Sequence, residues 1–329
     1  MYIAEIAPAK IRGALVTLNQ LAITFGIVAA YLADWAIAGC GEPHWQINYA
    51  WRWMFASECV PAGVLLVGLC FIPESPRWLL KAGYLDKAKH ILTRVGGLSH
   101  AEKEIKEIQN ALTTEEASIK QLFKPGLKRA LFIGVFIMIF SQITGMNAIY
   151  MYTPKLLLAV GFQSKSSALL AMVIVGVVNF MTTIIAVCVI DKVGRRVLML
   201  TAPLGMGLCM LMIAVGYGFQ CVSPGFILAA ILLFVFFFAL GVGPGAWLVT
   251  SEIYPTKVRG RAMSICTFSL WVSSFVANLI FPKLLESSQV TTFGLFAGAC
   301  FLMILFVYAT VPETKGKTLE QIETLWKSD

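Results

Sequence analysis

Ser141-Gln-Ile-Thr-Gly-Met-Asn-Ala-Ile-Tyr-Met-Tyr152 is the stretch of sequence that decides the fold. It lies inside an apolar run that begins near Leu131 and is long enough to cross a membrane, since about 20 apolar residues span the hydrocarbon core. The run nevertheless carries Gln142, Asn147 and the helix-weakening Gly145. Polar side chains and irregular backbone are tolerated at membrane depth only where they face protein or a water-filled cavity. The stretch therefore predicts a membrane helix with a polar, distorted middle.

Two interpretations of these polar residues are open at this point. On a regular helix Gln142 and Asn147 are five positions apart and would point in different directions. A distortion at Gly145 would bring both amides into one cavity, where they could bind a ligand. Alternatively, the amides hold neighbouring helices together by hydrogen bonds. The stretch alone favours neither interpretation.

The composition of the whole chain identifies an all-α polytopic membrane protein. Of its 329 residues 58% are hydrophobic and 13% charged, and the mean hydropathy is +0.78, an apolar excess that no soluble domain needs. The net charge of +8 comes from basic residues that lie between apolar runs, so membrane topology explains it better than nucleic-acid binding. The eight cysteines and three histidines show no metal-ligand spacing. We expect no metal, no cofactor and a monomer within the lipid bilayer.

Apolar runs predict eight membrane spans, grouped in two parts. We expect residues 1–72 to be the end of an N-terminal half with two spans, 73–127 a cytoplasmic helical linker, 128–311 a six-helix C-terminal half and 312–329 a cytoplasmic tail. In the linker, apolar residues recur at helical spacing among Lys and Glu, which predicts two or three amphipathic helices. The predicted spans are 14–38, 53–72, 128–158, 167–190, 197–219, 226–250, 262–285 and 291–311.

Positive charges predict the orientation of these spans. When both termini and the linker are placed on one side, that side holds 22 of the 26 Lys and Arg residues. The exceptions are Arg52, Lys155, Lys165 and Lys283. Basic residues concentrate in cytoplasmic loops, so both termini are expected in the cytoplasm.

An internal repeat relates the two parts of the chain. Glu5-Ile-Ala-Pro-Ala-Lys-Ile-Arg-Gly13 recurs as Glu252-Ile-Tyr-Pro-Thr-Lys-Val-Arg-Gly260, at an offset of 247 residues. Repeats of this kind are common in secondary transporters, with the substrate site between the halves. Within the C-terminal half, four spans starting near Lys128 precede the second copy, whereas no span precedes the first copy. We therefore expect about 120 further residues with four spans before Met1 in a complete twelve-span protein; a genuine eight-span protein is the alternative.

Charged residues at the cytoplasmic ends of the spans suggest a gate. Arg195 and Arg196 are placed to pair with Glu252, and Gly194 before them suits a tight turn. The alternative is that these are solvated surface charges, whose pairs contribute only about 0–1 kcal/mol each. Because the acid–Pro–Lys–Arg–Gly pattern is repeated, we favour a gate that forms in one state and breaks in the other. Its candidate residues are Glu5, Arg12, Glu74, Arg77, Asp191, Arg195, Arg196, Glu252 and Arg259.

Four motifs in order along the chain resemble the sugar porter family of the major facilitator superfamily. They are P-E-S-P-R-W at 73–78, Q-I-T-G-M-N at 142–147, D-K-V-G-R-R at 191–196 and P-E-T-K-G-K at 312–317. The resemblance implies the major facilitator fold, with eight of its twelve helices present. The overall sequence pattern, including Ala56-Ser-Glu-Cys59, is most similar to that of bacterial proton-linked porters of the xylose, arabinose and galactose type.

The resemblance also implies a sugar site. Sugar hydroxyls both donate and accept hydrogen bonds, as Gln and Asn amides do, and an aromatic wall suits the apolar face of the ring. Trp247 follows a Gly/Pro-rich break, Gly241–Gly245, and lies away from a span end, which disfavours a membrane-interface belt. Three positions depart from the family: Ser141 replaces a second Gln, Met151 replaces a Tyr, and Leu270 replaces a polar residue of several members, which predicts a less polar site. The implied sugar contacts are Gln20, Gln142, Asn147, Asn179, Trp247 and Trp271.

Two acidic residues are candidates for proton coupling, because coupling needs a membrane-embedded acid. Glu58 lies about two turns into the second span, and Asp34 lies near the outer end of the first. Proton-linked members of the family resemble this chain at Glu58. The sequence thus favours a monosaccharide:proton symporter that works by alternating access. The alternatives are an uncoupled facilitator and a non-transporting remnant or sugar sensor; no catalytic constellation points to an enzyme.

Overall fold

The structure is a computed structural model, and it describes residues 12–113, 122–123, 126–159, 165–219, 223–313 and 315. The described part of the chain is helical and contains eight helical spans that are long and apolar enough to cross a membrane. These are Gln20–Gly39, Gln46–Leu69, Leu127–Ala159, Ser167–Ile190, Arg195–Phe219, Pro224–Glu252, Val258–Ser287 and Gln289–Thr310. The predicted number and order of spans are confirmed.

The chain folds into two units. The first comprises Met1–Gly26 and Ala36–Glu116, and the second comprises Ile27–Trp35 and Ala117–Asp329. The helices are α1 (Arg12–Gly39), α2 (Pro43–Trp45), α3 (Trp51–Ser57), α4 (Cys59–Leu69), α5 (Pro76–Lys81), α6 (Leu85–Gly96), α7 (Leu98–Thr113), α8 (Leu127–Ile143), α9 (Met146–Ala159), α10 (Lys165–Val193), α11 (Arg195–Phe219), α12 (Pro224–Phe237), α13 (Gly243–Glu252), α14 (Thr256–Ser287) and α15 (Gln289–Thr310).

The first unit contains three helices in the linker region, α5, α6 and α7, where the sequence predicts two or three amphipathic helices. Ser75 caps α5, with Pro76 at its first position and the Ser75 hydroxyl accepting from the Trp78 amide. Gly97, at φ +84°, separates α6 from α7. Leu92, Ala101 and Ile105 form a small buried core against Leu80. The apolar periodicity of residues 85–105 therefore corresponds to a buried face shared by α5, α6 and α7.

The second unit is a six-span bundle with one continuous apolar core. The helices α11 and α15 pack along each other, and α8 packs against α14. Short polar caps set the helix starts: Ser223 precedes Pro224 and accepts from the Phe226 amide, and Ser288 accepts from the Thr291 amide. The core is filled by fully buried side chains such as Phe234 and Phe293. This bundle contains the polar stretch 141–152.

Segment 27–35 of α1 belongs to the second unit and packs on α10 at Gly176. A Cβ at Gly176 would lie 3.1 Å from Tyr31 Cδ2 and 3.4 Å from Val28 Cγ2. An alanine at this position would require the Tyr31 ring to shift by a few tenths of an ångström, and a larger residue would require more. Gly176 therefore sets the close approach of α1 to α10, three residues before Asn179.

Candidate functional site

The third span is interrupted at the position that the sequence predicts. The helix α8 ends at Ile143, α9 begins at Met146, and Gly145 between them has φ +94°. The interruption places the two amides in contact: Asn147 Nδ2 donates to Gln142 Oε1 at 2.6 Å. On a regular helix these side chains would point about 140° apart. The distortion at Gly145 is thus what brings them together.

These amides are part of a larger hydrogen-bonded group, which we call the polar cluster: Ser141, Gln142, Asn147, Ser274 and Asn278. Gln142 Nε2 donates to Ser141 Oγ at 3.1 Å, and Asn147 Nδ2 donates to Ser274 Oγ at 2.8 Å. Asn278 Nδ2 donates to the same Ser274 oxygen at 3.4 Å. The cluster joins α8, α9 and α14 at membrane depth. Both sequence interpretations therefore describe part of what is seen, since the amides link helices and also stand together.

The polar cluster leaves a defined set of groups for a ligand. Asn147 Nδ2 uses both of its hydrogens within the protein, so its free function is the acceptor Oδ1. The Ser141 hydroxyl accepts from Gln142 and donates to Met138 O at 2.7 Å, so it holds Gln142 in place and has no donor left. Gln142 Nε2 keeps one N–H. The cluster can thus both accept from and donate to hydroxyl groups.

Ser274 and Asn278 were missed by the sequence analysis. They follow Trp271 at the third and seventh positions along α14, so the three residues share one helix face. Polar residues at that spacing beside an aromatic residue, within an apolar helix, were a usable signal. Trp271 is 66% exposed and therefore available on the same face as the cluster.

The other predicted sugar contacts lie elsewhere in the chain. Asn179 is 5% exposed in α10, and no hydrogen bond joins its side chain to the polar cluster among the described residues. Trp247, in α13, is 42% exposed. Gln20 is exposed on the part of α1 that belongs to the first unit. The structure thus brings together Gln142 and Asn147, and leaves the roles of the other four residues as predictions.

Two expectations about the sixth span need correction. The segment Gly241–Gly245 does not break the helix: a wide π turn, Phe238–Val242, leads directly into α13. Its glycines serve packing, because a Cβ at Gly241 would lie 2.7 Å from the Leu198 carbonyl oxygen. Trp247 lies five residues from the observed end of the span at Glu252, and it is three residues from the predicted end at 250, so it was never far from a span end. Distance from the span end therefore gives no argument against a membrane-interface position for this Trp.

The two predicted coupling acids differ in their surroundings. Glu58 is the residue between α3 and α4, where the helix is interrupted for one position, and it is exposed. Asp34 is half-buried on the segment of α1 that packs in the second unit. Both lie inside membrane spans, as expected from sequence.

The charged cluster comprises Arg195, Arg196, Glu252, Glu313 and Lys315. Arg195 Nη2 lies 3.2 Å from Glu252 Oε1, with side-chain exposures of 15% and 22%. Arg196 does not pair with Glu252 as predicted. Its backbone N–H donates to Glu313 Oε2 at 3.2 Å, and its guanidinium donates to Tyr308 O at 2.8 Å. The carboxylate of Glu313 therefore caps the start of α11, where the helix dipole favours negative charge.

Gly194 makes this capping possible. It has φ +104° and joins α10 to α11, which confirms the predicted tight turn. A Cβ at this position would lie 2.9 Å from Glu313 Oε2. Lys315 completes the arrangement: its amide donates to Glu313 Oε1 and its ammonium to Lys192 O. Glu313 was not predicted, because it lies 117 residues from Arg196 in sequence.

Three of the remaining predicted gate residues, Arg259, Glu74 and Arg77, have side chains that the structure describes. Arg259 donates to the Tyr254 carbonyl oxygen at 3.1 and 3.3 Å. Glu74 and Arg77 are exposed, and no ion pair joins them to each other in the described part of the chain. Glu5 lies outside the described residues, as do the side chains of Arg12 and Asp191.

A buried tyrosine links three elements near the charged cluster. Tyr254 Oη donates to Ala130 O at 3.2 Å and contacts Cys266 Sγ at 3.2 Å. Burial raises the pKa of Tyr254 above its usual value and so favours the neutral hydroxyl. Gly134 provides the space for this hydroxyl, since a Cβ there would collide with Tyr254 Oη. The contact ties α8 and α14 to the end of α13.

The structure also contains two surface grooves outside the polar cluster. One, of about 670 Å³, lies among Pro73, Trp78, Tyr84 and neighbouring residues of the amphipathic helices. The other, of about 530 Å³, lies along α14 and is almost wholly apolar. Its two hydroxyls, Ser269 and Ser273, already donate to backbone carbonyls. The polar cluster, which faces a different side of α14, is therefore the better candidate.

Comparisons with known proteins agree with this architecture. The family model described as "Sugar (and other) transporter" matches residues 1–326. The arabinose-proton symporter of Bacillus subtilis is 42% identical over 327 residues, which cover 99% of this chain and 70% of the relative. The D-xylose-proton symporter of Escherichia coli K12 is 38% identical, with 100% and 68% covered. The inward open structure of the E. coli xylose transporter XylE superposes with a TM-score of 0.85 at 35% identity, covering 99% of this chain and 68% of that one.

Proposed function

The chain belongs to the sugar transporter family and has the major facilitator fold, and from this premise we propose that it moves a monosaccharide, a pentose or hexose, across the cytoplasmic membrane by alternating access, coupled to protons. The observation that carries the proposal is the polar cluster. A membrane-embedded set of amides and hydroxyls with free donor and acceptor groups suits the hydroxyls of a sugar. Such a protein is a transporter rather than an enzyme.

The proposed sugar contacts are Gln142 and Asn147 in the polar cluster, with Trp271 as the aromatic wall beside it. Gln20, Asn179 and Trp247 are proposed as further contacts on the family resemblance. Trp271 is supported by its helix face, which it shares with Ser274. A flat indole covers the apolar face of a sugar ring while the amides bind its hydroxyls.

Proton coupling is proposed for Glu58, with Asp34 as the second candidate. The support is that two curated relatives, named for arabinose and D-xylose, are proton symporters, and that Glu58 is exposed at a helix interruption within a span. Proton coupling needs an acid within a membrane span, and both Glu58 and Asp34 lie inside spans. The charged cluster is proposed as part of a cytoplasmic gate, with both termini on the cytoplasmic side.

A transport assay tests the proposal. The chain is reconstituted in liposomes, and uptake of radiolabelled D-xylose, L-arabinose and D-glucose is measured with and without an inward proton gradient. We expect gradient-driven accumulation of at least one sugar and its loss in Asn147→Ala. The matched control is Asn48→Ala, which removes an exposed amide that bonds only the His44 carbonyl oxygen.

The possible outcomes separate the two transport mechanisms. Uptake that equilibrates equally with and without the gradient would identify an uncoupled facilitator, which is the second candidate function. Absence of sugar uptake and of sugar binding by the purified chain would refute the assignment of sugar transport to this chain.

A further inference from the structure

Asn278 has a buried amide oxygen that the hydrogen bonds of the polar cluster do not satisfy. Its Nδ2 donates to Ser274 Oγ at 3.4 Å, but its Oδ1 has no hydrogen-bond partner among the described residues. Buried polar atoms in native proteins nearly always have a partner, and the exceptions call for a water, an ion or a ligand. An amide oxygen can be satisfied only by a donor.

Asn278 extends the polar cluster along α14. It lies one turn beyond Ser274, and at 1.5 Å per residue the four positions between them correspond to about 6 Å along the helix. The bond from Asn147 to Ser274 shows that this face of α14 is directed towards α9. Trp271 lies on the same face, one turn on the other side of Ser274. A ligand bound beside the polar cluster, in contact with both the Gln142–Asn147 pair and this face, would have Asn278 at one edge.

The directions of the hydrogen bonds add a second constraint. Ser274 Oγ already accepts from both Asn147 and Asn278, so its own hydrogen is left to donate outward. Asn278 thus presents an acceptor next to a hydroxyl donor. One sugar hydroxyl satisfies such a pair, because it donates to one oxygen while accepting from the other.

We propose that Ser274 and Asn278 form a subsite of the sugar cavity in which Asn278 Oδ1 accepts a hydrogen bond from one sugar hydroxyl and Ser274 donates to the same hydroxyl. The subsite rests on the proposed sugar transport. It adds a residue that recognises one particular hydroxyl group of the sugar through a hydrogen bond. A site built to bind a hydroxyl rejects the analogue that lacks it, because the buried protein groups are then left unpaired.

The experiment is a cycle that pairs protein variants with monodeoxy sugars. Dissociation constants are measured by tryptophan fluorescence for the wild-type chain, Asn278→Ala, Asn278→Ser and Ser274→Ala, each with the best-binding of D-xylose, L-arabinose and D-glucose and with every monodeoxy analogue of that sugar. We expect one analogue to bind about tenfold more weakly than the parent sugar to the wild type. The affinity for that same analogue should be little changed or unchanged by Asn278→Ala.

The other outcomes overturn the subsite. If Asn278→Ala weakens the parent sugar and all its analogues by the same factor, Asn278 acts on a water or on the position of Asn147 and does not touch the sugar. If Asn278→Ala changes no dissociation constant, Asn278 Oδ1 has no part in sugar binding. Asn278→Ser serves where Asn278→Ala fails to fold, since it keeps a small polar side chain.

Failure of the subsite is distinguishable from failure of the proposed function. If the wild-type chain binds the parent sugar but no monodeoxy analogue shows the expected dependence on Asn278, the subsite is refuted and the proposed sugar transport is not affected. A wild-type chain that binds none of the three sugars overturns the sugar assignment and the subsite with it. Asn48→Ala is the control for loss of an amide outside the cavity and should match the wild type throughout.

Discussion

Replacing Gly145 by alanine should damage both the stability of the bundle and the site. Gly145 has φ +94°, a conformation that costs an L-residue roughly 1–2 kcal/mol. The added Cβ would also lie 2.9 Å from Phe296 Cδ2 and 3.1 Å from Met210 Cε. Phe296 cannot easily yield, because its ring stacks on Phe281 at 5.7 Å. Overpacking of this kind costs about 1–3 kcal/mol, so the total loss should be about 2–5 kcal/mol.

The assay combines urea or thermal unfolding of the purified chain in detergent with sugar binding. We expect Gly145→Ala to lower the unfolding midpoint clearly and to abolish binding, because a straightened backbone separates Gln142 from Asn147. The matched control is Gly298→Ala in α15, where an added Cβ meets nothing within 4 Å. That change should be neutral or stabilise by up to about 1 kcal/mol. If Gly145→Ala unfolds like the control and binds sugar normally, the role assigned to the interrupted helix is wrong.

Three further predictions address coupling, the charged cluster and the buried tyrosine. Glu58→Gln should abolish uphill sugar uptake in liposomes while keeping sugar exchange. The control Glu42→Gln, in the exposed loop, should leave uphill uptake intact. Unchanged uphill uptake in Glu58→Gln would exclude this acid as the proton carrier. A double-mutant cycle on Arg195 and Glu252 should give a coupling free energy of about 1–3 kcal/mol in unfolding experiments, because the pair is largely shielded. The same cycle on Lys89 and Glu102, 3.6 Å apart and exposed, should give less than about 1 kcal/mol; equal values would contradict the shielding argument. Gly134→Ala should lower the free energy of unfolding, because the added Cβ collides with the Tyr254 hydroxyl. Adding Tyr254→Phe to this variant removes that oxygen and should restore part of the lost free energy. If the two losses simply add in the double variant, the collision is not the cause.

Sequence reasoning identified the features that depend on composition and local backbone preference. Long apolar runs gave the eight spans, Gly145 and Gly194 marked positions with positive φ, and helical periodicity gave the amphipathic helices. Each of these is determined by residues within one or two turns of each other. The acid–Pro–Lys–Arg–Gly repeat also directed attention to Arg195 and Glu252, which do pair.

The remainder depends on contacts between residues far apart in sequence. Nothing local to Glu313 indicates that it caps a helix 117 residues earlier, and nothing local to Ser274 indicates that it accepts from Asn147. The prediction for the Gly241–Gly245 segment was wrong because glycines that permit close packing resemble glycines that break a helix. Only the approach of Leu198 in the folded bundle distinguishes the two.

The hydrogen bonds within the polar cluster would affect the step in which the proposed transporter returns without bound sugar. An alternating-access protein must return to its starting side without cargo, and exposed amides without partners would oppose closure of a dry cavity. Here Asn147 bonds Gln142 and Ser274 within the protein, so in the proposed transport cycle the polar cluster would become enclosed with few unsatisfied groups. Sugar binding then exchanges hydrogen bonds instead of adding them, and each exchange contributes only about 0.5–1.5 kcal/mol net. If the proposed transport cycle is correct, modest sugar affinity and an unhindered return step would have the same structural origin, which is the pairing of Asn147 within the polar cluster.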